Sequence, residues 1–437
     1  MLRLFVATFF VAALASAQTI VIEHARLIDG NGGTPIEDST MIVEDGRITY
    51  VGSAADANIP DGVQRLNMRG KTIVPGIINM HGHVGSTKGL VQDAENFTRE
   101  SVIANLRTYA SYGVTTTTSM GTGGDGMIEY RNERERDEYQ SARVLTALQG
   151  FTAIGGYPTK VPGVKGVAQE ISTAQQAIDG VNTIADKGAN LAKMWIDTHH
   201  GEYPKLAPEL REAIINQANL RRLIPFAHVY ELNDAKHLAK AGIQILGHSV
   251  RDADVDDELI GLLIGGNVTY VSTLMREYTT FIYGTGAPWI NDPYFTRSVT
   301  ASTVQGVKTQ MKAAQAPAEV QRQGKQDLRM AMKNLKTLHD AGVRVGFGTD
   351  TGPPARFPGF FEHEEAAMMV DAGLTPMDVI VAWSKTNSMG LEIDGDYGTL
   401  EAGKVADFVI LNRNPLDNIR NTRSIHRVYM GGRRFRW

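Results

Sequence analysis

The sequence predicts an α/β protein, a (β/α)8 TIM barrel with a small β-sandwich domain built from both chain termini. The middle of the chain alternates short apolar runs with helical segments, which is typical of βα units around a parallel sheet. It contains eight such runs, the number that closes a barrel. Both ends instead show short strand patterns broken by Gly, Pro and Asn. A chain of 437 residues can hold one barrel and one smaller domain.

The first residues predict a secretory signal peptide. In MLRLFVATFFVAALASAQ, Arg3 precedes an apolar stretch that ends in the small residues of a cleavage site, Ala15 to Ala17. The apolar stretch is too short to span a membrane. We assign 1–17 to this signal and expect a secreted or periplasmic protein with no membrane contact after cleavage. Because the chain has no cysteine, it has neither disulfides nor thiolate metal ligands.

Residues 18–70 and 396–437 are predicted to form the β-sandwich domain. The segments TIVIEHARLIDGNG and MIVEDGRITYVGS have strand character, and Asp45-Gly46 has the sequence of a two-residue hairpin turn. KVADFVILNRNPLDNI and SIHRVYMGGRRFRW repeat this character at the other end. We therefore expect one small domain from both ends, with a barrel of residues 71–395 inserted between them.

The eight apolar runs of the middle are the predicted barrel strands: TIVPGIINMH, GVTTTTSMG, RVLTALQG, ANLAKMWID, LIPFAHVY, IQILGHS, NVTYVSTL and RVGFGTD. Between the last two the chain takes about seventy residues, far more than an ordinary connection. This excursion includes the aromatic segment 276–300. We expect it to form a lid or a wall of a substrate pocket; a disordered surface insertion is the alternative.

The charge pattern indicates the class of partner. The formal net charge is -4, and no stripe of Lys and Arg with interleaved aromatic residues is present. This pattern argues against nucleic acid and favours a small-molecule substrate. The number of subunits stays open, a homo-oligomer included.

Histidines and a carboxylate lie at the ends of the predicted strands. His81 and His83 are two positions apart, so their side chains point to the same side of the first strand. Because the carboxyl ends of barrel strands meet at one mouth, we expect the strand-end residues to converge there. Nitrogen and oxygen ligands of this kind suit zinc or a similar divalent cation. The remaining strand-end residues are Lys193, His228, His248 and Asp350.

The other histidines fall into two groups. Four lie away from the strand ends and are predicted to be structural or exposed: His24, His237, His339 and His426. Three follow the ends of the fourth and eighth strands and stay undecided: His199, His200 and His363.

Lys193 is an unusual member of this group, because a buried amine beside cations is disfavoured. One interpretation is a lysine that reaches solvent or pairs with a carboxylate. The other is an amine of lowered pKa that reacts with carbon dioxide, giving an anionic carbamate that bridges two metals. Spacing alone does not choose between them.

The chain resembles the amidohydrolase superfamily over nearly all of its mature length. KTIVPGIINMHGH is similar to the motif that opens the family's barrel, and GTLEAGKVADFVILNRNPL to the motif that returns to the small domain. The resemblance implies two divalent metal ions, zinc being expected. It places His81, His83 and Asp350 on one ion, His228 and His248 on the other, and a carboxylated Lys193 between them.

The overall pattern is imidazolonepropionase-related, yet imidazolonepropionases lack the lysine of the fourth strand. The resemblance therefore favours the binuclear subgroup of prolidase-like dipeptidases and N-acyl amino acid amidases. In that subgroup a tyrosine two residues past the fifth-strand histidine assists the substrate, and Tyr230 occupies this position. Core packing is the alternative role of Tyr230.

Two divalent cations lower the pKa of a shared water, so water is the expected nucleophile. Asp350 would accept its proton and pass it to the leaving nitrogen, and Tyr230 would donate a hydrogen bond to the oxyanion. A substrate that ends in a carboxylate needs a guanidinium clamp. Arg276, just past the seventh strand, is the candidate, and a surface arginine is the alternative.

Three functional hypotheses follow. The first is a secreted, binuclear, metal-dependent amidohydrolase that cleaves a peptide-like amide, such as a dipeptide or an N-acyl amino acid. The second keeps the site but changes the bond to a lactone, carbamate, cyclic amide or phosphoester. The third is a non-catalytic binding protein, which the complete set of ligands disfavours.

Overall fold

The computed structural model describes residues 19–135, 140–161, 163–164 and 166–436. The predicted signal peptide, residues 1–17, lies outside these ranges. Within them, every helix is too short or too polar to cross a bilayer.

The eight predicted barrel strands are all present and run parallel to their neighbours. Between strands three and four, Asn190 N donates to Thr146 O at 2.8 Å, and the short strand Phe151–Ala153 pairs in parallel with the fourth. The ring closes between strands one and eight, because Met80 N donates to Phe347 O at 3.0 Å and Asp350 N to His81 O at 2.7 Å. The prediction of a barrel is thereby confirmed. The barrel strands are Ile77–Asn79, Val114–Ser119, Arg143–Thr146, Leu191–Ile196, Ile224–Val229, Ile245–Gly247, Thr269–Val271 and Val345–Gly346.

One strand prediction needs correction. The run TIVPGIINMH is two strands, because Thr72–Pro75 pairs with Phe408–Leu411 in the terminal sheet and only Ile77–Asn79 belongs to the barrel. The chain passes between the two sheets at Gly76. A Cβ at Gly76 would lie 2.3 Å from side-chain atoms of Thr115, so only glycine fits this close approach.

A helix follows each barrel strand in the order that a (β/α)8 barrel requires. Three of these helices begin at a side-chain cap, as at Thr173, which forms a capping box with Gln176. The eight helices are Arg99–Ser111, Gly126–Glu135, Ala174–Asp186, Pro208–Leu220, Leu232–Lys240, Asp257–Gly265, Ala318–Asp340 and Phe360–Asp371.

Both chain ends contribute to one sheet beside the barrel. The strand Ile20–Leu27 pairs with Ile36–Glu44 on one edge, and on the other edge first with Gln64–Asn67 and then with Thr72–Pro75. Side chains of this sheet form one apolar core, to which Ile22 and Phe408 contribute. The predicted hairpin is confirmed, with Asp45 and Gly46 at φ 48° and 82° between its strands. The remaining strands of the sheet are Arg47–Ser53, Phe408–Leu411, Ile425–Met430 and Arg433–Arg434.

The long excursion after strand seven is ordered and mostly helical. Its aromatic part packs around Trp289, whose ring lies 4.8 Å from that of Phe295 and 5.2 Å from that of Phe361. These side chains form an apolar core of their own. The disordered alternative is therefore wrong for this segment. The helices of the excursion before Ala318 are Leu274–Tyr278, Ile282–Thr285, Pro293–Thr296, Ala301–Gly306, the π-helix Val307–Met311 and Lys312–Ala314.

Candidate metal centre and substrate cavity

The strand-end residues converge at the mouth of the barrel. The ring centroid of His248 lies 4.5 Å from that of His81 and 4.1 Å from that of His228. The carboxylate of Asp350 lies between the residues of the first strand, with Oδ1 3.0 Å from His83 Nε2 and 3.5 Å from His81 Nε2. All five side chains are buried. The structure thus brings together the histidines and the aspartate that the sequence selected.

Lys193 lies within the same group. Its side chain is fully buried, its Nζ is 3.4 Å from His81 Nε2, and it lies 4.3 Å from the ring centroid of Phe226. The interpretation that Lys193 reaches solvent is therefore wrong. Burial lowers the pKa of Lys193 to about 7, so the amine is largely uncharged above neutral pH.

Two of these residues have a left-handed backbone, a conformation that residues other than glycine seldom adopt. His248 has φ 70° and Asp350 has φ 56°. Such conformations cost energy and occur mainly where the surrounding structure enforces them, often at functional sites. His248 directly follows the sixth strand, and Asp350 lies four residues past the end of the eighth.

The donor set fits a divalent cation. Ligand atoms of His81, His248 and Asp350 all lie within 4.8 Å of one another. Burial lowers the pKa of His81 and His248 well below the ordinary value, so both imidazoles are neutral and can bind a metal. His81 Nδ1 is buried, with no hydrogen-bond partner among the described residues. The other nitrogen of His81, Nε2, lies 3.5 Å from Asp350 Oδ1, so Nε2 is the atom that could share a cation with this carboxylate.

Threonine hydroxyls orient two of the rings. His83 Nδ1 lies 2.7 Å from Thr122 Oγ1, and His248 Nδ1 lies 2.7 Å from Thr273 Oγ1. Because these contacts occupy Nδ1, they leave Nε2 of both rings for a cation. Such outer contacts fix the orientation of metal-binding histidines.

Gly247 provides the space for this arrangement. A Cβ there would lie 2.2 Å from the Phe226 ring and 3.2 Å from His81 Nδ1.

We expect Gly247→Ala to lower the free energy of unfolding by about 1–3 kcal/mol through overpacking and to weaken metal binding. Urea unfolding and zinc titration would measure both effects. Gly261→Ala is the control: Gly261 is helical with nothing within 4 Å, so alanine should stabilise by about 0.5–1 kcal/mol. Equal free energies of unfolding for the two variants would contradict overpacking at position 247.

A cavity of about 450 Å³ opens above this cluster of candidate metal ligands. Its polar wall carries Arg276, Arg356 and Tyr157, and Arg356 Nη1 contacts Asp350 Oδ2 directly. Most of the rest of its lining is apolar, and within the excursion only Arg276 reaches it. The expectation that the excursion walls the pocket is therefore corrected, because its aromatic residues pack against each other. The apolar lining consists of Leu90, Val91, Pro158, Val161, Val164, Trp195, Pro353 and Pro354.

Arg276 is buried, so the alternative of a surface arginine is wrong. Its Nη1 lies 2.9 Å from Glu277 Oε2, and the carboxylate of Glu277 is fully buried. The pair holds the guanidinium at the cavity wall.

Tyr230 is not among the residues that line the cavity. The fifth strand ends at Val229, and Tyr230 begins the loop that follows it. Its ring instead contacts Arg251, at 4.6 Å, and His200, at 5.3 Å. Burial raises the pKa of Tyr230 to about 12. The tyrosine that faces the cavity is Tyr157, whose ring centroid lies 5.8 Å from that of His228.

Sequence reasoning missed three residues of the site. Asp197 Oδ2 lies 2.9 Å from His228 Nε2. It was the last residue of the predicted fourth strand and lies on the same side as Lys193, so the strand-end rule could have selected it. Tyr157 and Arg356 come from loops after strands three and eight, and no local pattern marks them.

The undecided histidines have different surroundings. His199 stacks near Tyr157, with ring centroids 4.0 Å apart, and His200 is exposed beside Tyr230. His363 is buried away from the centre, 2.9 Å from Thr422 Oγ1. The four predicted to be structural or exposed are partly or fully exposed: His24, His237, His339 and His426.

Comparisons with known proteins identify relatives of this chain in sequence and in structure. The model of the amidohydrolase family matches residues 72–435. The chain is 22% identical over 405 residues to an imidazolonepropionase from Micrococcus luteus, covering 90% of this chain and 92% of that protein. It is 23% identical over 465 residues to an ochratoxinase from Aspergillus niger, covering 98% of this chain and 88% of that protein.

Solved structures share the fold. The crystal structure of A. niger ochratoxinase matches with a TM-score of 0.76 at 20% identity, covering 96% of each chain. A Xaa-Pro dipeptidase with methionine bound in its active site matches with a TM-score of 0.76 at 18% identity, covering 95% of this chain and 99% of the other.

Proposed function

The chain belongs to the amidohydrolase family and is a hydrolase of carbon–nitrogen bonds, and from the geometry of its cavity we propose that it cleaves the amide bond of small carboxylate-bearing substrates. A dipeptide or an N-acyl amino acid has this chemistry. The observation that carries the proposal is that Arg276 and the cluster of His81, His248 and Asp350 line one cavity. The names of two relatives, an ochratoxinase and a Xaa-Pro dipeptidase, are compatible with it.

Two divalent cations, zinc by expectation, are proposed to be held by the residues that the sequence selected. His81, His83 and Asp350 would hold one and His228 with His248 the other, with a carboxylated Lys193 between them. When bound, the cations would supply a water of lowered pKa and polarise the scissile carbonyl. Two ions per chain is the expected metal content.

The protein's own residues would perform the remaining steps. Asp350 would take the proton released by the attacking water and give it to the leaving nitrogen. Arg276 would bind the substrate carboxylate through a charge-assisted hydrogen bond. Tyr157, which lines the cavity beside His228, is better placed than Tyr230 to donate a hydrogen bond to the oxyanion. The apolar wall would bind the acyl group.

We also propose that the protein is secreted after removal of residues 1–17. Its proposed partner is a small-molecule substrate. Hydrolysis of a lactone, carbamate, cyclic amide or phosphoester is the alternative, because the same nucleophile attacks all of them. Such substrates need no carboxylate, so the role of Arg276 separates the two possibilities.

Replacement of Arg276 by alanine tests the proposal. We expect KM for N-acyl amino acids to rise by about 10- to 100-fold, the usual worth of a hydrogen bond to a charged group. The amidated analogues lack the carboxylate, so their KM should change little. Steady-state kinetics on both series would measure the ratio, and Arg322→Ala, on an exposed arginine, is the control. Equal effects on both series, or a wild-type preference for lactones, would refute the proposal.

A further inference from the structure

His228 and His248 differ in the nitrogen that their neighbours occupy. Thr273 Oγ1 contacts His248 at Nδ1, whereas Asp197 Oδ2 contacts His228 at Nε2, 2.9 Å away. An ionised carboxylate only accepts hydrogen bonds, so His228 Nε2 must carry the proton. Nδ1 is then the unprotonated nitrogen and the one able to bind a cation. Asp197 thus selects the binding nitrogen of His228.

Asp197 is itself held firmly. The backbone N–H of His199 donates to Asp197 Oδ1 at 2.7 Å. On the other oxygen, Arg251 Nη2 lies 3.7 Å from Asp197 Oδ2. Arg251 is almost fully buried, and its Nη1 donates to Ser249 O at 2.7 Å and lies 3.4 Å from Glu277 Oε1. A rigid backbone contact and a buried cation therefore fix the carboxylate against His228.

A different role for Asp197 is a third cation site. Ligand atoms of Asp197, His199 and His228 lie within 4.8 Å of one another. Arg251 argues against this, because its positive charge approaches the same oxygen, Oδ2, that such a cation would need. A cation bound between Asp197 Oδ2 and His228 Nε2 would also displace the proton that His228 Nε2 carries. The contacts thus favour an orienting role over a binding role.

We propose that Asp197 is a positioning residue that presents His228 Nδ1 to a divalent cation, and that Arg251 holds Asp197 in place. This inference rests on the proposed function, since it assumes that His228 binds a cation there. It adds a residue that acts only through another side chain.

Zinc titration of the metal-free protein tests this assignment without using activity. We expect Asp197→Ala to weaken the affinity for one of two zinc ions by about 10- to 100-fold, as loss of an outer contact usually does. Asp197→Asn should restore most of the affinity, because its amide oxygen accepts the same hydrogen bond. Asp234→Ala is the control, since Asp234 is also buried and paired with Arg211 but belongs to the helix Leu232–Lys240.

The outcomes separate the alternatives. An unchanged zinc affinity of Asp197→Ala, with Asp234→Ala also unchanged, would refute the positioning role. A third cation site predicts that His199→Ala and Asp197→Asn both lose a whole equivalent of zinc, and that result would also overturn the inference. If the wild-type protein binds no divalent cation, the proposed function itself fails. If the wild type binds two zinc ions and Asp197→Ala binds them with the same affinity, this inference is refuted while the proposed function stands.

Discussion

The Asp350→Asn variant is expected to lose on the order of 10²–10⁴-fold in kcat/KM, the range typical for removal of a general acid or base. Asp350 Oδ1 lies 3.0 Å from His83 Nε2, so its carboxylate is positioned both to bind a cation and to accept a proton. An amide is isosteric but cannot take up the proton, and it is a weaker ligand. Measurements of kcat/KM and of zinc content per chain would separate these two effects.

The pH profile adds a second readout for Asp350. Arg356 and the histidines beside it hold the pKa of the Asp350 carboxyl well below its usual range, against the opposing effect of burial. The carboxylate is therefore ionised throughout the neutral range, and its protonation should not limit activity above about pH 5. Asp125→Asn, at an exposed aspartate paired with Lys187, should leave kcat/KM unchanged. An Asp350→Asn variant with full zinc content and wild-type kcat/KM would exclude Asp350 from the chemistry.

The positions that the sequence predicted well are those at or just past the ends of barrel strands. His81 and His83 lie two and four residues past the end of the first strand, yet their ring centroids are only 5.8 Å apart, and His228 and His248 converge because adjacent parallel strands end at one mouth. Such regularities belong to the backbone and are visible in a pattern of residue types.

The positions that the sequence could not predict depend on where regular structure stops. Tyr230 lies one residue past the end of its strand, and its ring contacts Arg251 and His200 rather than the cavity. Tyr157 and Arg356 reach the cavity from loops, whose paths depend on contacts distant in sequence. The split at Gly76 follows from a close approach to Thr115, which no local pattern reveals.

The burial of Lys193 and Arg276 decides between interpretations that the sequence leaves open. Lys193 and Arg276 are both cationic side chains for which a solvent-exposed position was the ordinary alternative. The structure buries both, but only Arg276 has a carboxylate partner close by, Glu277 at 2.9 Å. Lys193 instead faces His81 and the Phe226 ring. An unpaired buried amine is costly unless it becomes neutral or is modified.

Replacement of Lys193 by alanine is expected to lower kcat/KM by more than about 100-fold, beyond the loss typical for a residue that only orients a ligand. The variant should also hold fewer than two zinc ions. Because the lost side chain leaves a buried space beside His81, acetate or propionate could enter it and supply a carboxylate in place of the carbamate. We therefore expect millimolar propionate to restore part of the activity and of the zinc content.

The pH dependence of metal loading tests the same idea in the wild-type protein. Burial lowers the pKa of Lys193 to about 7, so below this pH the amine is protonated and cannot attack carbon dioxide. Loading of the metal-free protein with zinc should accordingly accelerate with added bicarbonate at pH 8 and respond little at pH 6. Lys187→Ala, at an exposed lysine, should show neither the loss of activity nor the propionate effect. A Lys193→Ala variant with two zinc ions and wild-type activity would show that no carbamate bridge is needed, and the centre would then be held by the histidines and Asp350 alone.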